Sequence, residues 1–430
     1  MKQNIIKPSI LPGFMELLPK EQQIFEDIVK KIKKVYEENG LLPIDTPIIE
    51  KSEVLLAKSA GETEKQVYRF NKGKNDLSLR FDLTVPLSRY VAQYYNELIF
   101  PFKRYQIGKV YRGERNQRGR YREFYQCDLD IIGNSKLSID NDAFVISVAA
   151  KAFKEIGLNN FQFQISNRKI LSAVLDYLEI ENKNEVLILI DKYEKITKEE
   201  FSQTLYDYIG EEKGKFISDF MGIDGSNDEI IEQLKSKNIS LSDYIEGINE
   251  LVRVRKILQL FNVDEEFYRI NLKIIRGLDY YTGTVVETIL LGNEQYGSIC
   301  SGGRYDNLAE NYTKNKLPGV GISIGLTRLF FILKEIGFID KYQIEGNESI
   351  LIIPIGDTLE YCGKLIESLK AEGKCVQIYL ENDKLKKKMD YANKLGIDKV
   401  IVVGEEEIKY ESFSIKDMKT GTAMKYKINN

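Results

Sequence analysis

Two alternating segments joined by a short polar turn constrain the fold of this chain more than any other feature. RYQIGKVYRGE and REFYQCDLDII each alternate apolar and polar residues as β-strands do, and RNQRG between them has turn chemistry. Gly119 in this turn is free to adopt a positive φ. The pattern predicts an antiparallel hairpin, and its tip is cationic because it carries Arg112, Arg115, Arg118, Arg120 and Arg122.

The strand period of two sorts the side chains of this hairpin onto two faces. Arg112 and Glu114 are predicted to share one face of the first strand. A face of the second strand carries Arg122, Phe124, Gln126, Asp128 and Asp130. These polar side chains lie on a face that would be apolar if it packed on a core, which predicts that the face lines a cleft. The alternative is a solvated face whose charges pair across the two strands. Because one hairpin offers few carboxylates for five arginines, we expect a phosphate ligand, which guanidinium groups bind bidentately.

The absence of histidine limits the chemistry open to this chain. None of its 430 residues is His, which excludes imidazole bases, Ser–His and Cys–His nucleophile pairs and His-ligated metals. Any reaction must then use arginines, carboxylates, backbone dipoles or a hydrated hard cation. The four cysteines show no CxxC spacing, so neither a disulfide framework nor a zinc knuckle is predicted.

Length and composition predict a globular protein of roughly three domains. A hydrophobic content of 43% argues against disorder, and a net charge of −3 argues against wholesale coating of nucleic acid. A local basic surface stays compatible with that charge. No run approaches the roughly 20 apolar residues of a membrane span, and MKQNIIKPSILPGF lacks the apolar core of a secretory signal. We therefore expect a cytoplasmic protein.

Helical periodicity marks three parts of the chain. Residues 20–38 and 140–156 are each predicted to form a helix, and the Lys- and Glu-rich region from about 172 to 266 is predicted to be a helical insertion between strand-rich halves. After the first helix, LLPIDTPIIE contains two prolines, which favours an edge strand. An oligomer seam is the alternative interpretation of this segment.

The segment LSLRFDLT, residues 77–84, alternates cleanly and predicts a strand. Its polar side carries Arg80, Asp82 and Thr84. Asp82 and Thr84 would lie one pleat apart and could jointly receive an ammonium group. A strand with a solvated polar face is the more general interpretation of the pattern alone.

Two further segments combine strand signals with glycines and tyrosines. RGLDYYTG places paired tyrosines beside a glycine, which suits a stacking wall for a planar ligand or half-buried strand aromatics. LPGVGISIGLTRLFFIL predicts a helix from about Gly325, with Arg328 in its first turn, where the helix dipole disfavours a cation. A bound anion or a nearby carboxylate would offset that cost. No GxxxxGK[ST] loop is present.

The end of the chain has a regular α/β pattern. SILIIPIG, CVQIYL and KVIVVG are short apolar strands, with helical stretches at about 358–371 and 384–395. They predict a small parallel-sheet domain that begins near Gly346. The run KLKKK, Lys384 to Lys388, is a basic patch that suits an RNA backbone, although a solvated helix face is the interpretation we favour.

Together these motifs resemble the histidyl-tRNA synthetases, a class II aminoacyl-tRNA synthetase family. YRGERNQRGRYREFYQCDLDIIG is similar to class II motif 2, GVGISIGLTRL to motif 3, and the first helix with LLPIDTPIIE to motif 1. RGLDYYTG and GGRYDNL are similar to two peptides particular to this family. LRFDLTVPLSRY and REFYQCDLD are closer to its eukaryote-like branch. The resemblance covers nearly the whole chain.

The resemblance implies an α+β fold with an antiparallel sheet flanked by helices. It implies a catalytic core in two parts, 1–171 and 267–345, a helical insertion at 172–266 that meets the acceptor stem, and an α/β anticodon-binding domain at 346–430. It also implies a homodimer that activates histidine with ATP and Mg²⁺ and transfers it to the 3′ end of tRNA(His), with no zinc or organic cofactor.

The resemblance also implies roles for individual residues. Arg112 would grip the α-phosphate of ATP, and Arg276 would bridge that phosphate and the histidine carboxylate as the second catalytic residue. Asp82 and Thr84 would receive the α-amino group, while Gln126 and Asp130 would bind the amino acid and read its imidazole. The full histidine site would comprise Asp82, Leu83, Thr84, Arg112, Gln126, Asp130, Arg276, Tyr280, Tyr281 and Tyr305. The ATP site would comprise Arg112, Glu114, Arg120, Phe124 and Arg328.

Two other functions share parts of this pattern. A non-catalytic paralogue that regulates ATP phosphoribosyltransferase resembles the same core but typically lacks the special arginine and the anticodon-binding tail, and both Arg276 and residues 347–430 are present here. A class II synthetase for another amino acid would not be expected to carry RGLDYYTG and GGRYD.

Overall fold

The computed structural model describes residues 6–57, 62–114, 118–190, 193, 196–274, 281–344 and 348–427. The chain divides into two compact units, Met1–Tyr342 and Gln343–Asn430. No helix among the residues that the structure describes is long and apolar enough to cross a membrane.

Helices and strands alternate irregularly along the first unit. Its helices are α1 (Pro19–Glu38), α2 (Ser52–Leu55), α3 (Glu62–Gln66), α4 (Thr84–Gln93), α5 (Asp140–Glu155), α6 (Arg168–Tyr177), α7 (Lys183–Ile190), α8 (Lys198–Ile209), α9 (Glu211–Met221), α10 (Asn227–Ser236), α11 (Ser242–Leu260), α12 (Leu326–Glu335) and α13 (Phe338–Lys341). Its strands are β1 (Leu42–Pro43), β2 (Ile49–Lys51), β3 (Arg69–Lys72), β4 (Asn75–Leu79), β5 (Phe102–Tyr111), β6 (Glu123–Ile132), β7 (Phe161–Asn167), β8 (Tyr268–Ile270), β9 (Thr284–Leu290), β10 (Cys300–Tyr305) and β11 (Gly319–Gly325).

A large sheet with the strand order β1-β5-β6-β11-β10-β9-β7-β8 forms the centre of this unit. The pairs β1–β5 and β7–β8 are parallel, and the other neighbours are antiparallel. The predicted hairpin is confirmed as β5 and β6, which pair in register from Phe102 with Ile132 to Tyr111 with Glu123. The hairpin is flanked by the short edge strand β1 on one side and by β11 on the other, so neither of its strands is at the edge of the sheet.

One face of the sheet is apolar and forms the main core with α1 and α5. The buried side chains Ile28 and Ile32 of α1 recur at helical spacing and belong to the same cluster as Cys127 and Leu129 of β6. Tyr36 of α1 donates a hydrogen bond to the Cys127 carbonyl at 3.1 Å. The helices predicted over 20–38 and 140–156 are confirmed to within one residue, because their apolar stripes match this surface.

The segment after α1 differs from the sequence prediction. LLPIDTPIIE forms two short strands, β1 and β2, and the strand predicted over residues 77–84 ends at Leu79. Helix α4 begins at Thr84, because the Asp82 carboxylate accepts a hydrogen bond from the Val85 backbone N–H at 3.0 Å and Pro86 lies in the first turn, where a missing N–H costs nothing. The strand prediction was therefore wrong for the residues from Arg80 to Thr84.

The predicted helical region contains α6 to α11 between β7 and β8. Helix α11 packs on α5 and α6, and these helices belong to the same compact unit as the sheet. The division of this unit into a core and an insertion domain stays a prediction.

The second unit contains the strands β12 (Ser349–Pro354), β13 (Cys375–Ile378), β14 (Lys399–Val403), β15 (Ser412–Asp417) and β16 (Ala423–Lys427) with the helices α14 (Leu359–Ala371), α15 (Leu385–Leu395) and α16 (Glu405–Lys409). Its strand order is β13-β12-β14-β15-β16, and only the first three strands are parallel. The three predicted strands form the parallel part of this sheet, and the last two strands, which were not predicted, form an antiparallel hairpin around the positive-φ residue Gly421. Lys388 is buried and donates to the Pro354 carbonyl at 3.0 Å, so the solvated-face interpretation of KLKKK fails at that residue.

Candidate active site

The face of the central sheet opposite α1 is polar near the middle of β5, β6 and β11. Strand register aligns the side chains of these strands in rows, because residues directly opposite each other in antiparallel strands share a face. The rows are Arg104, Asp130 and Gly321, then Gln106, Asp128 and Ser323, then Gly108, Gln126 and Gly325. Polar side chains of β6 and β11 therefore lie side by side in the interior, although the two strands are more than 180 residues apart in the chain.

Asp130 occupies the deepest of these rows. Its Oδ2 lies 2.6 Å from Nη2 of Arg104, and its Oδ1 accepts a hydrogen bond of 2.5 Å from the Tyr305 hydroxyl. Burial raises the pKa of Asp130, and both Arg104 and Tyr305 oppose that shift. Gly321 leaves the space this carboxylate occupies, since a Cβ at that position would lie 1.9 Å from Oδ1. The arrangement holds a carboxylate rigidly inside the protein.

The turn before α4 approaches the same region. Arg104 donates to the Leu83 carbonyl at 3.2 Å, which ties this turn to Asp130. The pKa of Tyr281 is raised by burial and by the carboxylates of Asp130, Asp128 and Asp82. All three carboxylates therefore interact with this one tyrosine. The structure thus brings Asp82, Leu83, Asp130, Tyr281 and Tyr305 into one cluster of side chains, called the inner pocket below, and Thr84 begins the adjoining helix.

A cleft of about 220 Å³ opens beside this inner pocket. Arg112 donates through Nε to the Phe81 carbonyl at 2.9 Å, and its guanidinium lies 5.2 Å from the centre of the Phe124 ring. Arg120 lies 3.3 Å from Glu114. The cleft is lined by Arg112, Glu114, Gly119, Arg120, Tyr121, Phe124, Gln126, Ser298, Ile299, Cys300, Ser301, Ser323, Gly325 and Arg328. Every described residue of the expected ATP site lines it.

Arg328 adds a cation at the start of α12. Its Nη1 donates to the Ser298 carbonyl at 2.9 Å, and among the described residues no carboxylate forms an ion pair with it. Burial lowers the pKa of Arg328, and the neighbouring Arg120 lowers it further. Three guanidinium groups around one cleft repel one another, so a bound polyanion would stabilise them. The carboxylates of Glu114 and Glu287 oppose this shift, so a bound anion as the partner of Arg328 stays a prediction.

The hairpin tip differs from prediction in three respects. Arg112 and Glu114 follow the end of β5 at Tyr111 and share no strand face. Arg118 pairs with Glu335 of α12, and Arg122 donates to backbone carbonyls of Glu114 and Pro12. The expectation that all five arginines need phosphate was therefore wrong for these two, because their partners come from other parts of the chain. Arg115 lies outside the described residues.

Other site residues were missed or cannot be placed. Arg104 was not predicted, although its strand parity puts it on the polar face, and Ser323 accepts a 2.7 Å hydrogen bond from Gln126 without having been singled out. Arg276 and Tyr280 lie outside the described residues. Among the residues that are described, no cluster of three or more acidic or cysteine side chains has a geometry that could hold a metal ion.

Comparisons with known proteins agree on one family. Residues 13–329 match the family model described as histidyl-tRNA synthetase, and residues 349–430 match an anticodon-binding domain. A histidine–tRNA ligase of Clostridium acetobutylicum is 64% identical over 425 residues, covering 99% of each chain. The crystal structure of a histidyl-tRNA synthetase from Nostoc sp. PCC 7120 superimposes with a TM-score of 0.89 at 35% identity, covering 98% of this chain and 97% of that one.

A structure whose description names both a regulator and a synthetase shares the fold at lower identity. A structure from Bacillus halodurans C described as an ATP phosphoribosyltransferase regulatory subunit/histidyl-tRNA synthetase has a TM-score of 0.78 at 21% identity, covering 93% of this chain and 99% of that one. The fold alone therefore does not separate a synthetase from a regulator. The 64% identity to the clostridial ligase, which spans both matched regions, does.

Proposed function

The chain belongs to the histidyl-tRNA synthetase family, and from this premise we propose how its residues divide the work of the reaction. Its α+β fold is that of the family, and its activity is the ATP-dependent ligation of histidine to tRNA(His). Histidine first reacts with ATP to give histidyl-adenylate and pyrophosphate, and the histidyl group then passes to the 3′ end of the tRNA.

We propose that the inner pocket binds histidine. Asp82 and Thr84 receive the ammonium group, with Leu83 between them, and Gln126, Asp130, Tyr281 and Tyr305 surround the side chain together with Tyr280. A carboxylate that is held by Arg104 and Tyr305 presents a fixed acceptor to the ring N–H. A buried polar pocket of this kind rejects analogues that lack the partner atom, because its own groups would stay unpaired.

The neighbouring cleft binds ATP in this proposal. Arg112 contacts the α-phosphate, Arg328 the far end of the nucleotide, and Glu114 lies against the adenine, with Arg120 and Phe124 completing the site. Support comes from the three cations that line the cleft and from the depressed pKa of Arg328. Mg²⁺ bound with the nucleotide would neutralise phosphate charge and would keep mostly phosphate and water ligands, so few protein ligands are needed.

The reaction needs no general base. An amino-acid carboxylate is ionised at neutral pH and attacks the α-phosphorus directly. The residues then only have to hold two anions in line and stabilise the charge that develops on the phosphoryl oxygens. Arg112 and Arg276 have this role in the proposal, which suits a chain without histidine.

One observation carries this assignment: Gln126 joins the two sites. It lines the nucleotide cleft, and on the same strand face it precedes Asp128 and Asp130 of the inner pocket. Amino-acid-dependent ATP–pyrophosphate exchange tests the proposal. We expect exchange with histidine and with no other standard amino acid. Exchange with another amino acid would indicate a different synthetase, and none at all would indicate a regulator.

The remaining partners are also proposals. Residues 346–430 bind the anticodon of tRNA(His), the α6 to α11 region meets the acceptor stem, and the protein acts in the cytoplasm. We propose a homodimer, supported by exposed apolar side chains of the first unit, among them Leu42, Ile48, Ile49 and Ile99. A sedimentation experiment in which the chain stays monomeric at working concentration would contradict the dimer.

Replacing Gly321 with alanine is expected to disturb histidine binding. The new methyl group would meet the Asp130 carboxylate, which Arg104 prevents from moving away. A displacement of about 1 Å in a positioned group costs about 10²-fold in kcat/KM, and we expect a loss of this size for histidine in the exchange assay. Gly363→Ala is the control, because nothing lies within 4 Å of that position on α14. Equal kcat/KM values for the two variants would contradict the placement of Asp130.

A further inference from the structure

A second buried carboxylate lies between Gln126 and Asp130 on the polar face of β6. Asp128 is only 2% exposed, and its Oδ1 has no hydrogen-bond partner within the described part of the chain. It is directly opposite Gln106 of β5 and Ser323 of β11. An unpaired buried carboxylate oxygen costs free energy unless a ligand or a proton satisfies it. None of the roles assigned above uses this residue.

The pocket contains three buried carboxylates, those of Asp82, Asp128 and Asp130. Asp130 is paired with Arg104 at 2.6 Å, and Asp82 is proposed to take the substrate ammonium. Within the described part of the chain, Asp128 keeps one oxygen without a hydrogen-bond partner, although the positive charges of Arg104 and Arg80 act on it. Residues two apart in a strand are separated by about 6.6 Å, a distance that a five-membered ring with a hydrogen bond at each nitrogen can span.

A neutral imidazole has one N–H and one bare nitrogen. Between two ionised carboxylates, its N–H would satisfy one acceptor and its bare nitrogen would face the other without a proton. One additional proton removes this mismatch, whether it lies on Asp128 or on the ring. We propose that Asp128 is a specificity-determining residue that shares one proton with the imidazole of bound histidine. The inference rests on the histidine placement proposed above.

The electrostatic surroundings of Asp128 agree with this role. Burial raises its pKa to about 7, near the value of about 6.5 for free imidazole. Arg104 and the hydrogen bond with Ser323 lower this pKa, whereas Asp130 and Asp82 raise it. The other charged or titratable groups that interact with its charge are Arg80, Tyr36, Tyr281, Cys127 and Cys300.

The proposal fixes the number of protons exchanged on binding. Below both pKa values, Asp128 and free histidine each carry a proton, so forming a complex that holds one proton releases one. Above both values, neither carries a proton, so binding takes one up. Histidine affinity should therefore peak between about pH 6.5 and 7 and fall towards about tenfold per pH unit on either side.

Asp128→Asn tests the proposal. The amide has nearly the same shape and can donate to the bare ring nitrogen, but it cannot hold the extra proton. We expect the 1/KM for histidine in the exchange assay to rise up to about pH 6.5 and then stay level to pH 8.5 in this variant. Asp27→Asn is the control, because Asp27 is another buried aspartate, hydrogen-bonded to Tyr342 at 2.8 Å outside the site. It should keep the alkaline decrease of the unmodified enzyme.

Calorimetry on the unmodified enzyme gives a second test that needs no variant. Titrating histidine at pH 8 in two buffers of different ionisation enthalpy should show uptake of close to one proton, and at pH 5.5 release of close to one. No uptake at pH 8, or an alkaline decrease that persists in Asp128→Asn, would overturn the inference. Absence of histidine-dependent exchange in the unmodified enzyme would instead contradict the proposed function, so the two failures are distinguishable.

Discussion

Replacing Arg112 with glutamine is expected to lower kcat/KM for histidine-dependent ATP–pyrophosphate exchange by about 10²- to 10³-fold, the usual cost of one lost donor to a developing anion. Arg112 is oriented by its Nε hydrogen bond to the Phe81 carbonyl and by the Phe124 ring. Glutamine has similar length and one donor group, but it lacks the charge and the planar fork that bind a phosphate at two points. The initial rate of exchange measures this loss.

A matched control separates catalysis from folding. Arg253→Gln also removes a guanidinium, but this side chain is on α11 and pairs with Asp140 at 2.6 Å where both are partly exposed. Such a surface pair contributes at most about 1 kcal/mol to stability, and exchange activity should not change. If both variants retained full exchange activity, Arg112 would have no role at the phosphate.

Replacing Arg276 with glutamine is the second change with a large expected effect. By resemblance to the family, this arginine bridges the histidine carboxylate and the α-phosphate, so it contacts both reacting groups. An interaction that strengthens in the transition state affects kcat more than KM. We expect kcat for exchange to fall by about 10²- to 10³-fold, with a smaller change in KM for histidine.

Lysine at this position distinguishes charge from geometry. Arg276→Lys keeps the positive charge but offers no fork to join two anions, and we expect it to restore little of the rate. Single-turnover formation of the adenylate measures the chemical step without product release. Unchanged single-turnover rates in Arg276→Gln would remove this residue from the mechanism.

The local pattern of apolar and polar residues correctly predicted those helices and strands whose apolar side is buried in the folded protein. Alternation placed β5 and β6 correctly, and with them the shared face of Gln126, Asp128 and Asp130. The helix predicted from about Gly325 is also present, as α12 from Leu326. In each case one side of the element is buried in a core, so the apolar period and the tertiary environment agree.

Prediction failed where a local helix-start signal was overlooked and where partners come from distant parts of the chain. Residues 80–84 alternate like a strand, yet the Asp82 carboxylate and Pro86 favour the start of a helix there. Arg118 pairs with Glu335, which is more than 200 residues away in the chain. Counting the carboxylates of the hairpin could not predict this partner. Arg104 has the correct strand parity, but only the register with β6 shows that it pairs with Asp130.

The most direct test of the account is a double-mutant cycle between Arg112 and Arg276, measured as kcat/KM for histidine-dependent exchange. If both guanidinium groups act on the same α-phosphate, removing one weakens the contribution of the other, and the double variant should lose far less than the product of the two single losses. A loss in the double variant equal to that product would mean that the two arginines act independently, and would contradict the account.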